Sequence, residues 1–266
     1  MKQVLAELVE TKKLKPGYFV HTYLLPDMAH EAAPGQFVHI RISDGPHPIL
    51  RRPFSILSTD KDKLRILFKV VGEGTRILSL AKAGDILDIL VPIGTSFPMG
   101  SKPVVLIAGG IGMAPLYFLA QRIKKKNKQN VIFLYGARSK KDLVFTKEIA
   151  VLVDKLIVIT DDGSQGKKGM ITDHVESLLK PDFSFYACGP EPMLVALKNR
   201  LGSHNLSAWF CLENRMACGV GACQGCVVET RSGYRRVCVD GPVFSSDEII
   251  ALPFSPDVKL DGEPDN

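Results

Sequence analysis

Cys218, Cys223, Cys226 and Cys238 stand in the last fifth of the chain, separated by four, two and eleven residues. Four soft donors at this spacing, C-x4-C-x2-C…C, match the plant-type ligand set of a [2Fe–2S] cluster. Three of the thiolates must then come from one tight loop folded over the inorganic sulfides. Gly219, Gly221 and Gly225 suit such a loop, because glycine tolerates positive φ and lets backbone N–H groups approach sulfur with no Cβ in the way. A chain with such a cluster moves electrons singly. A zinc site would also use four cysteines, but as two CxxC knuckles, and only Cys223 and Cys226 form a CxxC here. A disulfide framework is the other reading, and the length and the lack of a secretory signal argue against it.

With 266 residues the chain has room for two domains and a small third. Hydrophobic content of 45% and charged content of 23% are those of an ordinary globular protein. The first ten residues alternate in polarity and carry Glu7 and Glu10, so they read as a strand and not as a signal-peptide core. No apolar run reaches spanning length, and the expected location is the cytoplasm, where thiols and clusters survive. The net charge is +6. Its densest run, Lys124-Lys125-Lys126-Asn127-Lys128, follows an apolar helical pattern and marks the solvated C-terminal end of that helix. Nucleic-acid binding would need a wider basic patch with interleaved aromatics.

The expected fold is a β-barrel plus α/β. Residues 1–98 alternate in short segments, Gln3–Glu10, Tyr18–Leu25, Gln36–Ile42, Phe54–Ser58, Leu64–Val70 and Ile86–Val91. Turn residues such as Lys15-Pro16-Gly17, Asp44-Gly45-Pro46 and Ala83-Gly84-Asp85 separate them. Six antiparallel strands at this spacing predict a small closed barrel, with one short helix over Thr75–Ala81. Over 99–204, apolar runs (Val104–Ala108, Val131–Tyr135, Leu156–Thr160, Phe183–Ala187) alternate with helical patterns near Ala114–Lys125, Lys141–Leu152, Thr172–Leu179 and Glu191–Leu201. That order predicts a parallel α/β sheet. Residues 205–266 form a third unit around the cluster cysteines.

The barrel carries Arg51-Arg52-Pro53-Phe54-Ser55 and then Val71-Gly72-Glu73-Gly74-Thr75; the sheet carries Gly109-Gly110-Ile111-Gly112-Met113-Ala114-Pro115 and Tyr186-Ala187-Cys188-Gly189-Pro190. Singly these are ordinary: an arginine pair is usually a surface feature, a glycine turn often just joins strand to helix, and a buried cysteine is usually a small core residue. In this order they resemble the ferredoxin–NADP reductase superfamily of flavoproteins. The resemblance implies FAD held by Arg52 as a bidentate pyrophosphate clamp, with Pro53, Phe54, Ser55, Lys69, Val70, Val71, Gly74 and Thr75 around it. It implies a nicotinamide dinucleotide at Gly109, Gly110, Ile111, Gly112, Met113, Gly189 and Pro190, with Cys188 beside the nicotinamide as the catalytic-site cysteine. Asp161 and Asp162 follow the third strand of the sheet, where NADP-specific relatives place Ser-Arg. Carboxylates repel a 2′-phosphate and accept hydrogen bonds from a ribose diol, which favours NAD, while Arg138 and Lys140 argue the other way.

Glu213-Asn214-Arg215-Met216-Ala217-Cys218 with the loop that follows, Thr160–Ser164 with Gly169, and Asp240–Phe244 extend the likeness over nearly the whole chain. They resemble the electron-transfer subunits of NAD-dependent dihydroorotate dehydrogenases. This implies a partner, an FMN-containing catalytic subunit that oxidises dihydroorotate, two of each in a heterotetramer. Electrons are then expected to pass through the cluster and FAD to NAD, in the service of pyrimidine biosynthesis. Hydride transfer between stacked rings needs no acid–base residue, and no triad or carboxylate pair stands in the sequence. The Gly94-Thr95-Ser96-Phe97 loop lacks a second glycine common in relatives, and Cys211 matches no ligand position. The alternatives are an FAD and [2Fe–2S] subunit of another NAD(P)H-linked complex (a ferredoxin–NADP oxidoreductase, an anaerobic sulfite reductase or a hydrogenase) or a zinc-binding scaffold. Bifurcating transhydrogenase subunits usually carry aspartate in place of the first cysteine, and Cys218 counts against them.

Overall fold

A computed structural model describes residues 1–252 apart from 27, 44, 46, 127 and 128. The turn expected at Asp44 and Pro46, the Asn127-Lys128 end of the basic run and the last residues of the third unit lie outside the described residues. Six strands close the barrel: β1 (Lys2–Lys15), β2 (Tyr18–Leu24), β3 (Phe37–Ile40), β4 (Arg52–Asp60), β5 (Lys63–Lys69) and β6 (Ile86–Ile93), in the order β1-β2-β5-β4-β3-β6. All the pairings are antiparallel. The strict alternation of β6, with Leu87, Ile89, Val91 and Ile93 inward, shows why the sequence builds strands here: period two puts one apolar face inside the barrel. Helix α1 (Glu73–Leu78) follows β5.

The second layer is a seven-stranded sheet flanked by helices. Its strands and helices run β7 (Val104–Gly109), α2 (Met113–Lys126), β8 (Val131–Ala137), α3 (Thr146–Leu152), β9 (Lys155–Thr160), β10 (Lys167–Lys168), β11 (Ser184–Cys188), α4 (Glu191–Ser203) and β12 (Ala208–Cys211). The chain then makes β13 (Val227–Thr230), β14 (Gly233–Arg236), β15 (Val243–Ser245) and β16 (Ile249–Ala251). The sheet order is β10-β9-β8-β7-β11-β12-β15, parallel except for the last pair. Strand β7 is a wholly buried apolar run and β11 is buried from Phe185 on, as a sheet covered on both faces requires. Because β8, β9 and β10 lie to one side of β7 and β11 and β12 to the other, the winding reverses between β7 and β11. A crevice opens there at the carboxyl ends of the strands.

Two expected helices come out differently. Thr172–Leu179 is two 3-10 turns, Ile171–His174 and Glu176–Leu178. Its backbone makes short-range bonds such as Asp173 N–H to Met170 O and Leu178 N–H to Val175 O, and the His174 ring reaches the Lys168 carbonyl at 3.1 Å. The helix expected from Lys141 starts only at Thr146. The residues before it are drawn onto the barrel: Tyr18 Oη donates to Asp142 at 2.9 Å, Lys69 Nζ to the same oxygen at 2.9 Å, and Lys15 Nζ to the Leu143 carbonyl.

Residues of the third segment are shared out. Strands β12 and β15 extend the nucleotide sheet, while β14-β13-β16 form a small sheet of their own. Cys226, Val228, Val237 and Cys238 pack in one core with Phe37 and Ile93 of the barrel and with Ile107 and Phe210 of the sheet. A second core joins Tyr18, Val20 and Leu57 of the barrel to Leu116 and Leu119 of α2. The cluster loop is therefore fixed at the seam between barrel and sheet.

Candidate functional site

The loop from Cys218 to Cys226 wraps backbone donors around sulfur. Val220 N–H and Cys223 N–H both point at Cys218 Sγ, and Gly225 N–H points at Cys223 Sγ, each at 3.4 Å. Gly219 (φ +69°) and Gly221 (φ +80°) take the left-handed backbone expected of them. Gly225 does not; that conformation falls to Gln224 (φ +55°) instead. Gly225 brings its N–H onto Cys223 Sγ, and a Cβ there would meet that sulfur at an ordinary contact distance of 3.6 Å. The four thiols form two pairs, Cys218 with Cys223 and Cys226 with Cys238. A two-iron core takes two thiolates per iron, so this pairing fits the cluster. Among the described residues no three His, Cys, Asp or Glu side chains converge as ligands of a single ion do. Burial alone would raise the Cys218 thiol, but the N–H groups of Cys223 and Val220 outweigh it and bring it down to about 6. Burial, then the Cys226 thiol, pushes Cys238 up to about 12. One pair is therefore open, with Cys223 exposed, and the other is buried. Arg236 braces the loop from the hairpin, donating to the Gly221 carbonyl at 3.3 Å and to Asp240 at 3.1 Å.

On the barrel, the start of β4 and the turn before α1 come together. A Cβ on Gly74 would lie 3.1 Å from Arg52 Nε, so the guanidinium lies along the bare glycine at the head of the helix. Arg52 donates to the Leu50 carbonyl at 2.7 Å. Among the described residues no carboxylate pairs with it, and its charge is left for an anion. Arg51 is spent differently, in an ion pair with Asp88. Phe54 is buried and Ser55 half-buried on β4, and Val71 is 77% exposed beside the Gly72 turn. The Thr75 hydroxyl accepts from Val71 N–H at 2.9 Å and Gly72 N–H at 3.2 Å. Thr75 thus shapes the turn, and the ammonium of Lys69 goes to Asp142.

In the crevice between β7 and β11 the glycines permit close packing. A Cβ on Gly112 would stand 2.5 Å from the Cys188 carbonyl oxygen, and one on Gly189 2.9 Å from the Cα of Gly109. Gly110, at φ +53°, has open space where a side chain would go. Ile111 is half-buried and Met113 opens α2 as a buried residue. The Cys188 side chain is fully buried against Cys211, its parallel neighbour in register. The Cys211 thiol and burial raise the Cys188 thiol well above its ordinary value. Cys188 therefore borders the crevice as a neutral thiol. Asp161 and Asp162 are exposed beyond β9. Asp162 accepts from Ser164 N–H at 2.9 Å and from its hydroxyl at 2.6 Å, which holds its carboxyl below the ordinary range. The Lys168 side chain lies 3.1 Å from where a Gly163 Cβ would be, so the turn carries a cation as well.

Two polar residues gain a place in the site that the sequence reading did not give them: Glu213, quoted there only as part of a motif, and His39, not quoted at all. Glu213 follows β12 as an exposed residue whose carboxyl is raised by desolvation, and its charge in turn raises the Cys188 thiol. His39, on β3, is fully buried beneath the cluster loop, and burial brings its imidazole down to about 4. The Gly94–Phe97 loop, whose place was open, joins barrel to cluster unit: Thr95 N–H donates to the Gly241 carbonyl at 2.6 Å.

Residues 213–250 match the family model of the iron–sulfur cluster binding domain of dihydroorotate dehydrogenase B, and residues 106–199 match the oxidoreductase NAD-binding domain. Among solved structures, that of an NADH-dependent reduced ferredoxin–NADP oxidoreductase is 32% identical with a TM-score of 0.83, covering 92% of this chain and 90% of that one. A ferredoxin–NADP+ reductase from Neisseria gonorrhoeae with bound FAD and NADP, 18% identical over 77% of this chain and 92% of its own with a TM-score of 0.67, shares the fold. The dihydroorotate dehydrogenase B (NAD(+)) electron transfer subunit of Bacillus velezensis is 39% identical over 230 residues, 83% of this chain and 88% of the relative. That of Bacillus caldolyticus is 38% identical over 226 residues, 82% and 86% of the two chains. Likeness of this extent, covering the barrel, the sheet and the cluster loop alike, shows that the chain belongs to the family of electron transfer subunits of NAD(+)-dependent dihydroorotate dehydrogenase B.

Proposed function

We propose that this chain carries electrons from a dihydroorotate-oxidising, FMN-containing catalytic subunit to NAD+, working in the cytoplasm with two copies of each subunit in the complex. One observation carries the reading. A loop of paired thiols, with Cys223 exposed, sits on the seam between a barrel that presents Arg52 and Gly74 and a sheet that presents the Gly109–Gly112 crevice.

The chain's own residues fit the groups the family carries. Cys218, Cys223, Cys226 and Cys238 hold the [2Fe–2S] cluster in this reading. Arg52 clamps the FAD pyrophosphate and Phe54, Ser55 and Val71 line its ring. Gly109, Gly110, Gly112 and Gly189 let NAD lie on the backbone, and Asp161 and Asp162 accept from its ribose hydroxyls. When bound, FAD supplies the exchange between single electrons and a hydride, which a nicotinamide requires and a cluster cannot supply. The protein's part is to hold the rings in register and exclude water, and Cys188 contributes packing at the nicotinamide edge as a protonated thiol. A second reading, service to another NAD(P)H-linked complex, is favoured by the 32% identity to the NADH-dependent ferredoxin–NADP oxidoreductase structure.

The reading is tested on purified protein. The isolated chain should contain iron and flavin and oxidise NADH with a one-electron dye, yet form no orotate from dihydroorotate. Adding an FMN-binding catalytic subunit should give orotate coupled to NAD+ reduction. Orotate formation by the isolated chain, or coupling to ferredoxin in place of that subunit, overturns it.

A further inference from the structure

His39 is an odd residue to bury. It lies on β3 opposite Pro53 of β4 and Leu90 of β6, has no exposed surface, and neither ring nitrogen makes a well-formed hydrogen bond, the backbone of Arg51 and Cys218 being its polar neighbours. Buried polar atoms are nearly always satisfied, so an orphan of this kind needs an explanation. Above the ring is the cluster loop. A Cβ on Gly219 would stand 2.3 Å from His39 Nδ1 and 3.0 Å from Cε1, so the Nδ1 edge of the imidazole packs against the bare Cα next to Cys218. The backbone polar groups it faces are those of Cys218, in the cluster loop, and Arg51, the residue before the flavin-side arginine.

We infer that His39 is a positioning residue for the iron–sulfur cluster, seating the Cys218–Gly219 peptide on the barrel and offering its one ring N–H to the cluster side. A phenylalanine would fill the same space without an unpaired nitrogen, so packing alone does not account for a histidine. The opposite edge of the ring faces the strand that carries Arg52, so one side chain bridges the cluster loop and the flavin strand. A ring N–H held beside the Cys218 peptide would place a positive dipole near the cluster and so favour its more negative, reduced state.

The test uses the full chain loaded with cluster and FAD, and rests on the cluster reading. Iron content and an EPR signal in the unsubstituted protein are therefore established first; their absence fails that reading and not this one. In His39→Phe with iron and FAD retained, reduction of the cluster is expected to become about tenfold less favourable, about 59 mV for a one-electron couple, while the FAD potential stays put. Gly219→Ala, which pushes the loop off the ring, should move the cluster potential the same way. His39→Gln keeps a donor and should stay within about twofold of the unsubstituted protein. An unchanged potential and EPR spectrum in His39→Phe overturn the assignment, as does a shift in His39→Gln as large as in His39→Phe. If His39→Phe loses its iron, His39→Gln decides: iron retained at the original potential supports the role, and iron lost from both variants reduces His39 to a structural wedge.

Discussion

Cys218 and Cys211 are both thiols of the same stretch, yet their surroundings assign them different work. Cys218 receives two backbone N–H groups and pairs with Cys223; Cys211 sits in β12 against Cys188, its Sγ 3.8 Å from the Gly35 carbonyl. Cys218→Ser is expected to lose most of its iron with FAD retained, whereas Cys211→Ser keeps iron at the original ratio; an iron-to-flavin assay on both checks this. The glycines of the crevice divide likewise. Gly112→Ala drives a Cβ to 2.5 Å from a backbone carbonyl, and overpacking of that kind costs about 1–3 kcal/mol. Gly110→Ala meets open space and pays only for its positive φ, about 1 kcal/mol. Denaturant unfolding should rank the two in that order. The ligand cysteines and the dinucleotide glycines were legible because the constraint is local: spacing along one loop, or one turn. His39 was not, because its meaning comes from Gly219, which is distant in sequence and meets it only across the seam. Gly225 was half legible: its N–H does approach sulfur, but the positive φ expected of it falls to Gln224, a choice of backbone that no spacing of glycines announces.

The clasp between β5 and the turn before α3 works at the scale of elements. Burial alone would raise the Asp142 carboxyl, but hydrogen bonds from Lys69 and Tyr18 outweigh it and hold it below the ordinary range. The bond to Asp142 in turn raises Lys69. A depressed acid contributes stability above its unfolded pKa, near 3.9, and loses it as pH falls through the folded value. A raised lysine contributes below its unfolded pKa, near 10.4, and loses it as pH rises through its folded value. The clasp is thus fully present across the neutral range. A double-mutant cycle of Lys69→Ala and Asp142→Asn should give a coupling of about 0.5–1 kcal/mol at pH 7, discounted for the half-exposed lysine, shrinking toward zero below pH 3. The same clasp explains which elements a sequence reveals. The barrel strands and α2 follow from period and length. The segment from Lys141 to Phe145 reads as helix because its local pattern is helical, but only a 3-10 turn, Lys140–Asp142, forms there, held by partners on β1, β2 and β5 that no window of sequence contains. Strands β12 and β15 are too short, at four and three residues, to announce themselves as sheet edges.

For the molecule as a whole, the question is which face meets the catalytic subunit. The cluster loop offers one: Ala217, Val220, Ala222, Cys223 and Gln224 are exposed on it, and Val239 of the adjoining hairpin is 42% exposed. Apolar side chains left in water around a redox centre carry a hydration cost that a partner removes, and electrons cross best where the open thiol pair is nearest the other protein. The nicotinamide crevice opens at the carboxyl end of β7 and β11, so a partner on the cluster loop leaves NAD free to exchange. Val220→Asp should then separate assembly from local chemistry. The side chain is 41% exposed and holds no ligand position, so iron, FAD and dye-coupled NADH oxidation are expected within twofold of the unsubstituted chain. Its carboxylate would be desolvated in the interface, weakening association with the catalytic subunit at least tenfold, or about 1.4 kcal/mol. Titration calorimetry against that subunit, read beside the NAD+-dependent rate of orotate formation, measures both arms. Equal loss of dye-coupled and orotate-coupled rates would place Val220 inside the redox site, and unchanged affinity would move the docking face elsewhere on the molecule.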